Sequence, residues 1–210
     1  MTDVESKIAQ AKDTELEVPI YLRGTEKRLG ALRAIGREHS RDAETSRLLT
    51  EWRNANQSAF ASRFEATVSR TQSWLISQVV DDPHRLVFLV FGISPTPIGH
   101  LGIVAGRTQS GWAVELDSVL RGEQGAAPGL MSSSVETLHQ WIAQALGCTS
   151  ITLRVLASNV LGIRFYRRLG YDFVRAVPVR WVTHGGTTRL EPCRRERAID
   201  EYVTMERGLV

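Results

Sequence analysis

Three apolar runs follow one another within 36 residues: "RLVFLVFG" from Arg85, "PIGHLGIVAG" from Pro97 and "GWAVELDSVL" from Gly111. Only a few Gly, Pro and Ser residues separate them, and links that short cannot carry a chain back across a sheet. The runs are therefore read as an antiparallel meander. A glycine-rich stretch, "RGEQGAAPG", comes next, and then "LMSSSVETLHQWIAQALG", in which Leu130, Met131, Val135, Leu138, Trp141, Ile142 and Ala145 form a helical stripe that Gly147 ends. "SITLRVLAS" reads as a strand again. A long helix between two strands of one sheet implies a crossover, so this strand should lie parallel to the one before the loop. The chain is thus bound to a mixed, mostly antiparallel sheet.

Around this centre the pattern is plainer. "VPIYLRG" reads as a first strand, and "TEKRLGALRAIGREHS" as a helix capped by Thr25 with Leu29, Leu32 and Ile35 at helical spacing. "DAETSRLLTEWRNAN" and "ATVSRTQSWLISQVVDD" supply two more helical pieces, and "YDFVRAVPVRWVTHGGTTRLEPC" a strand pair turning at Gly185 and Gly186, with "EYVTMER" as the last strand. Residues 1–17 show little periodicity and are expected to be a loose N-terminal extension, leaving one domain over 18–210.

A 210-residue chain with 42% hydrophobic and 23% charged residues suits one soluble domain. No apolar run approaches the ~20 residues of a membrane-spanning helix, and the charged N-terminus does not read as a secretory signal, so a cytoplasmic protein is expected. Cys148 and Cys193 stand apart from each other and from any histidine at ligand spacing, so neither a metal site nor a disulfide is expected. A net charge of +3, with scattered arginines apart from "CRRER" and no interleaved aromatics, gives no nucleic-acid signature.

The segment "NVLGIRFYRRLGY" sets Asn159, Ile163 and Tyr166 on one helical face and Leu161, Phe165 and Leu169 on another, with Gly170 as a left-handed stop. Asn, Phe-Tyr, two polar residues and Leu-Gly-aromatic, placed after three antiparallel strands, a loop, a helix and a parallel strand, resemble the GNAT acetyltransferase superfamily. The resemblance spans roughly residues 18–207. It implies an α/β (α+β) fold with a splayed, mostly antiparallel sheet flanked by helices, and acetyl coenzyme A as co-substrate.

By that resemblance, Val119 offers backbone groups to the pantetheine arm, Asn159 a side-chain contact, and Tyr166 a proton for the departing thiolate. Gln124, Gly125, Ala126, Ala127, Gly129 and Leu130 correspond to the pyrophosphate loop, although Ala127 replaces the family's first glycine and Pro128 donates no N–H. Trp52, Arg53 and Asn54 fall near the acceptor side, where they could stack on or hydrogen-bond a sugar. Together with "WRNANQSAF" and "FLVFG", the loop resembles a branch that acetylates amino sugars, often nucleotide-linked.

Acetyl transfer to an amine also needs an acceptor for the amine's surplus proton. Strand alternation puts Ala113, Glu115, Asp117 and Val119 on one face, with Trp112, Val114, Leu116 and Leu120 on the other. Two carboxylates sharing a partly buried face raise each other's proton affinity. Glu115 is the favoured base, with Asp117 and His100 as alternatives; His100 also counts among the acceptor-binding candidates. The expected activity is N-acetyl transfer to a small-molecule amine, an amino sugar favoured, by a monomer or homodimer. Acetylation of an amino acid or protein N-terminus, or binding without transfer, are the alternatives.

Overall fold

The computed structural model describes residues 3–109, 111–123 and 127–209. Its elements are α1 (Asp3–Asp13), β1 (Glu17–Tyr21), β2 (Arg28–Ala34), α2 (Arg37–Arg41), α3 (Ala43–Ala55), β3 (Ser62–Arg63), α4 (Val68–Trp74), β4 (Arg85–Phe91), β5 (Pro97–Thr108), β6 (Gly111–Arg121), α5 (Leu130–Trp141), β7 (Ser150–Leu156), α6 (Val160–Arg168), β8 (Asp172–His184), β9 (Thr187–Pro192) and β10 (Asp200–Gly208). Short π-helical segments extend α4 to Val80 and α5 to Leu146. The strands form one sheet in the order β1-β2-β4-β5-β6-β7-β10-β8-β9-β3.

The meander β4–β5–β6 is antiparallel and β7 joins β6 in parallel, as the crossover requires. Alternate residues of β4 feed two cores. Leu86, Phe88 and Val90 pack with α1 and α5, while Val87, Leu89 and Phe91 pack with Leu48, Leu49 and Trp52 of α3 and with Leu75 and Val79 beyond α4. Helices therefore cover both faces. No helix is long and apolar enough to cross a membrane.

Two expectations fail for tertiary reasons. The segment expected to be a loose extension contains α1, whose Val4, Ile8 and Ala11 are buried in the first core. Lys12 follows them inward and donates to the carbonyls of Val80 and Asp82. "RLGALRA" is strand β2, not a helix, because it is held between β1 and β4 and buries apolar residues at both strand parities. That double-sided burial imitates a helical spacing of Leu29, Leu32 and Ile35. Gly30 is forced by the pairing, since a Cβ there would sit 1.9 Å from the Phe91 carbonyl oxygen.

Candidate active site

Between the pairs Gly102↔Asp117 and His100↔Leu120, β5 advances two residues and β6 three. The extra residue is a β-bulge, and Ser118 takes a left-handed backbone (φ 54°) that a non-glycine residue rarely adopts. The bulge breaks the expected alternation. Leu120 turns onto the second core, on the face of Glu115 and Asp117, while Val119 packs against the first.

Beyond it the sheet opens: β6 and β7 pair only at Glu115↔Thr152 and Leu116↔Leu153. Later residues of both strands line a cleft of about 290 Å³ that also takes in Asn159, Tyr166 and Tyr202. β3 pairs with β9 at the far edge of the sheet, so the segment from α3 to β3 runs from one half of the sheet to the other. Its Phe60 and Ser62 line this cleft and also a second cavity of about 330 Å³, and Ser118 likewise belongs to both.

Tyr166 is half-buried, its ring edge-on to Phe165 and Tyr171. Its hydroxyl has no hydrogen-bond partner among the described residues, and burial, with the charge of Asp117, raises its pKa to about 12. It is a protonated phenol open to the cleft. Tyr171 shows the opposite case: fully buried, its hydroxyl is tied to His139 at 2.8 Å.

Asn159 caps α6 by accepting from the Gly162 N–H at 2.9 Å, which gives this residue a structural reason beside its place in the cleft. Of the second helical face, Leu169 is buried but Leu161 is 78% exposed. Glu115 and Asp117 share a face and line the cleft, but neither faces the other unpaired. Arg154 donates to Glu115 at 2.8 Å, and Asp117 accepts from Arg85 and from the Ser118 hydroxyl. Each carboxylate is thus paired with an arginine of its own.

Gln124, Gly125 and Ala126 lie outside the described residues. Ala127 and Gly129 are exposed and Leu130 is buried. Gly129 (φ 83°) precedes α5, which has no side-chain cap, so the leading amides of the helix are left to the loop or to a ligand. An opened strand pair with unpaired backbone and an uncapped helix start suit the amide-rich arm and pyrophosphate of coenzyme A.

The acceptor candidates divide. His100 lines the 330 Å³ cavity and is 6% exposed, with an Nδ1 that has no hydrogen-bond partner among the described residues. Burial lowers its pKa to about 4, against an opposing hydrogen bond to the Ser118 backbone, so the ring is neutral. Trp52 lines neither cavity: it stacks behind His100 (centroids 6.3 Å apart), donates Nε1–H to Glu123 at 2.8 Å and presses on Gly122. Asn54 is used up on the backbone N–H and C=O of Ala66. Arg53 does reach the cavity, where sequence reasoning missed its companions Phe60, Phe64, Arg70 and Trp74. These residues have no common period, and only the path of the chain around the cavity joins them. Among the described residues no three His, Cys, Asp or Glu side chains are grouped to hold a metal ion.

Comparison with known proteins gives a consistent picture. Solved structures with a similar fold include a spermidine N-acetyltransferase from Vibrio cholerae in complex with CoA and spermine (TM-score 0.63, 14% identity, 85% of this chain and 94% of that one). Another is an acetyltransferase from Salmonella typhimurium that modifies the N-terminal serine of ribosomal protein L7/L12 (0.64, 14%, 93% and 100%). A third is FdhC, a nucleotide-linked sugar GNAT (0.58, 11%, 80% and 83%). No curated protein matches the sequence significantly. The model of the acetyltransferase (GNAT) domain matches residues 31–172, more than half of the chain. With that match on a splayed sheet and its adjoining cleft, the chain belongs to the GNAT family of acetyl coenzyme A-dependent N-acetyltransferases.

Proposed function

We propose that this enzyme acetylates the primary amine of an amino sugar, free or nucleotide-linked. The observation that carries the reading is the junction of two cavities at Phe60, Ser62 and Ser118: one belongs to the opened strands, the other is walled in part by aromatic rings. Acetyl coenzyme A supplies the activated acyl group. Val119, Asn159 and the loop of Gln124, Gly125, Ala126, Ala127, Gly129 and Leu130 would hold it. Direct transfer in a ternary complex needs no protein nucleophile, so the protein's part is to orient the amine and move two protons. Tyr166, neutral and unpartnered, holds the proton for the leaving thiolate. Glu115, 30% exposed in the cleft, takes up the amine's proton through water. Asp117 is committed to both Arg85 and Ser118, and His100 offers its free nitrogen as a hydrogen-bond acceptor.

A small cavity walled by Phe60, Phe64 and Trp74 suits the apolar ring face of a sugar better than an extended peptide, which needs a long groove. Thiol release should be measured with amino sugars, amino acids, peptides and polyamines. Amino sugars are expected to give the highest kcat/KM. Preferential turnover of peptides would replace this reading by N-terminal acetylation, and tight acetyl coenzyme A binding without any thiol release would leave a binding module.

A further inference from the structure

The cavity beside Ser118 carries two positive side chains and no negative one. Arg53 and Arg70 line it, and among the described residues no Asp or Glu does. The Arg53 guanidinium lies between two rings, 4.2 Å from the centroid of Phe60 and 4.1 Å from that of Phe64, and Arg70 sits 4.2 Å from Phe64 as well. One phenyl ring thus serves two cations. Stacking on rings is a common way to support an arginine, but it leaves the charge itself uncompensated.

The hydrogen bonds of Arg53 go to one residue: a terminal amino group donates to the Ser62 carbonyl at 3.0 Å and hydroxyl at 3.1 Å. Its buried Nε has no hydrogen-bond partner among the described residues. Burial, and then the like charge of Arg70, both act against its protonated form, and no carboxylate counters them. A guanidinium does not respond by losing its proton, so this half-buried cation stays charged and is suited to receive an anion. Arg70 lies on the exposed side, where it can reach the same anion from the solvent edge. His100, neutral and with a free nitrogen, lines the same cavity and adds no charge.

We propose that the acceptor amine itself carries an anionic oxygen group, a phosphate or a carboxylate, held by Arg53 and Arg70, with its body against Phe60 and Phe64 and its amine directed to Ser118. The inference rests on reading this cavity as the acceptor site. It names what the amino sugar must bear, and it excludes polyamines, whose second and third charges would meet two arginines at close range. At about 330 Å³ the cavity fits a single ring with its substituent, so a nucleotide would extend outward past Arg70.

The test compares a neutral amino sugar, its phosphate ester, its carboxylate derivative and spermidine as acceptors for wild type, Arg53→Met, Arg70→Gln and Phe64→Leu. Binding of each to the acetyl coenzyme A-free protein is followed in parallel by calorimetry. The wild type should bind and turn over an anionic amine with a KM at least about tenfold below that of the neutral sugar, in line with a charge-assisted contact. Arg70→Gln, at an exposed position that need not disturb folding, should remove several-fold of that preference, and Arg53→Met most of it. Whichever of the phosphate and carboxylate arms shows the larger preference identifies the group. Equal KM values for neutral and anionic amines, or a preference for spermidine, overturn the inference while the cavity reading stands, provided Phe64→Leu raises the acceptor KM. If Phe64→Leu leaves every acceptor KM unaltered, the cavity reading fails, and the inference with it.

Discussion

Replacing Tyr166 by phenylalanine removes one oxygen from the cleft and little else. The ring keeps its edge-on contacts to Phe165 and Tyr171, at 5.3 and 5.8 Å between centroids, and no hydrogen bond within the protein is lost, since the hydroxyl makes none among the described residues. Folding stability should therefore stay within about 0.5 kcal/mol of wild type. Acetyl coenzyme A affinity should also change little. Turnover should fall about 10²–10⁴-fold, the usual contribution of a general acid. With the phenol pKa raised to about 12, the wild-type donor is fully protonated at pH 6–9, so the loss should be the same across that range. Tyr171→Phe is the internal control. It breaks the 2.8 Å bond to His139 and leaves a buried imidazole nitrogen without its partner, at a cost of about 1–3 kcal/mol. In a chain of this length that is roughly 2–12 °C in Tm. Its turnover should stay within about threefold of wild type. Steady-state thiol release, calorimetry with acetyl coenzyme A and thermal melts of both variants decide the matter. The reasoning is refuted if Tyr166→Phe keeps near-normal turnover, or if it loses activity only together with a drop in Tm like that of Tyr171→Phe.

Glu115→Gln should depress kcat most at low pH, where free amine is scarce, while the loss of its exposed pair with Arg154 costs little stability; an unchanged pH–rate profile moves the role to Asp117 or His100. Gly122→Ala places a Cβ 2.1 Å from the Trp52 ring, which backs His100, so it should destabilise the fold by about 1–3 kcal/mol and raise the acceptor KM; urea melts and kinetics showing neither would dissociate Trp52 from the site. Burial lowers the Lys12 pKa to about 8 from 10.5. The unfolded chain then holds the proton longer, so wild-type stability should rise as pH climbs from 8 to 10.5, by at most about 3 kcal/mol. Lys12→Met should lack that rise in urea titrations at pH 7.5 and 10.

The meander, the crossover and the helix α6 were legible because each is written in neighbours: period-two alternation, turn residues a few positions apart, side chains at helical spacing ended by Gly170. The acetyltransferase motif around Asn159 and Tyr166 was legible for the same reason. β2 was not, since a strand buried on both faces has no period of its own, and its partners β1 and β4 decide what it is. α1 shows its small apolar stripe only once a core exists to receive it. At the site the division falls in the same place. Sequence marked Glu115, Asp117, His100 and Tyr166 as titratable groups near one another in the fold, but which partner neutralises each was settled by residues 39 and 32 positions away, Arg154 and Arg85. One extra residue at Ser118 exchanged the faces of Val119 and Leu120, which no alternation rule anticipates. Phe60, Phe64 and Arg70 became a cavity wall because β3 pairs with β9 at the opposite edge of the sheet. Short-range pattern determines the elements; charge compensation and enclosure are properties of distant residues brought together, and only the tertiary structure fixes them.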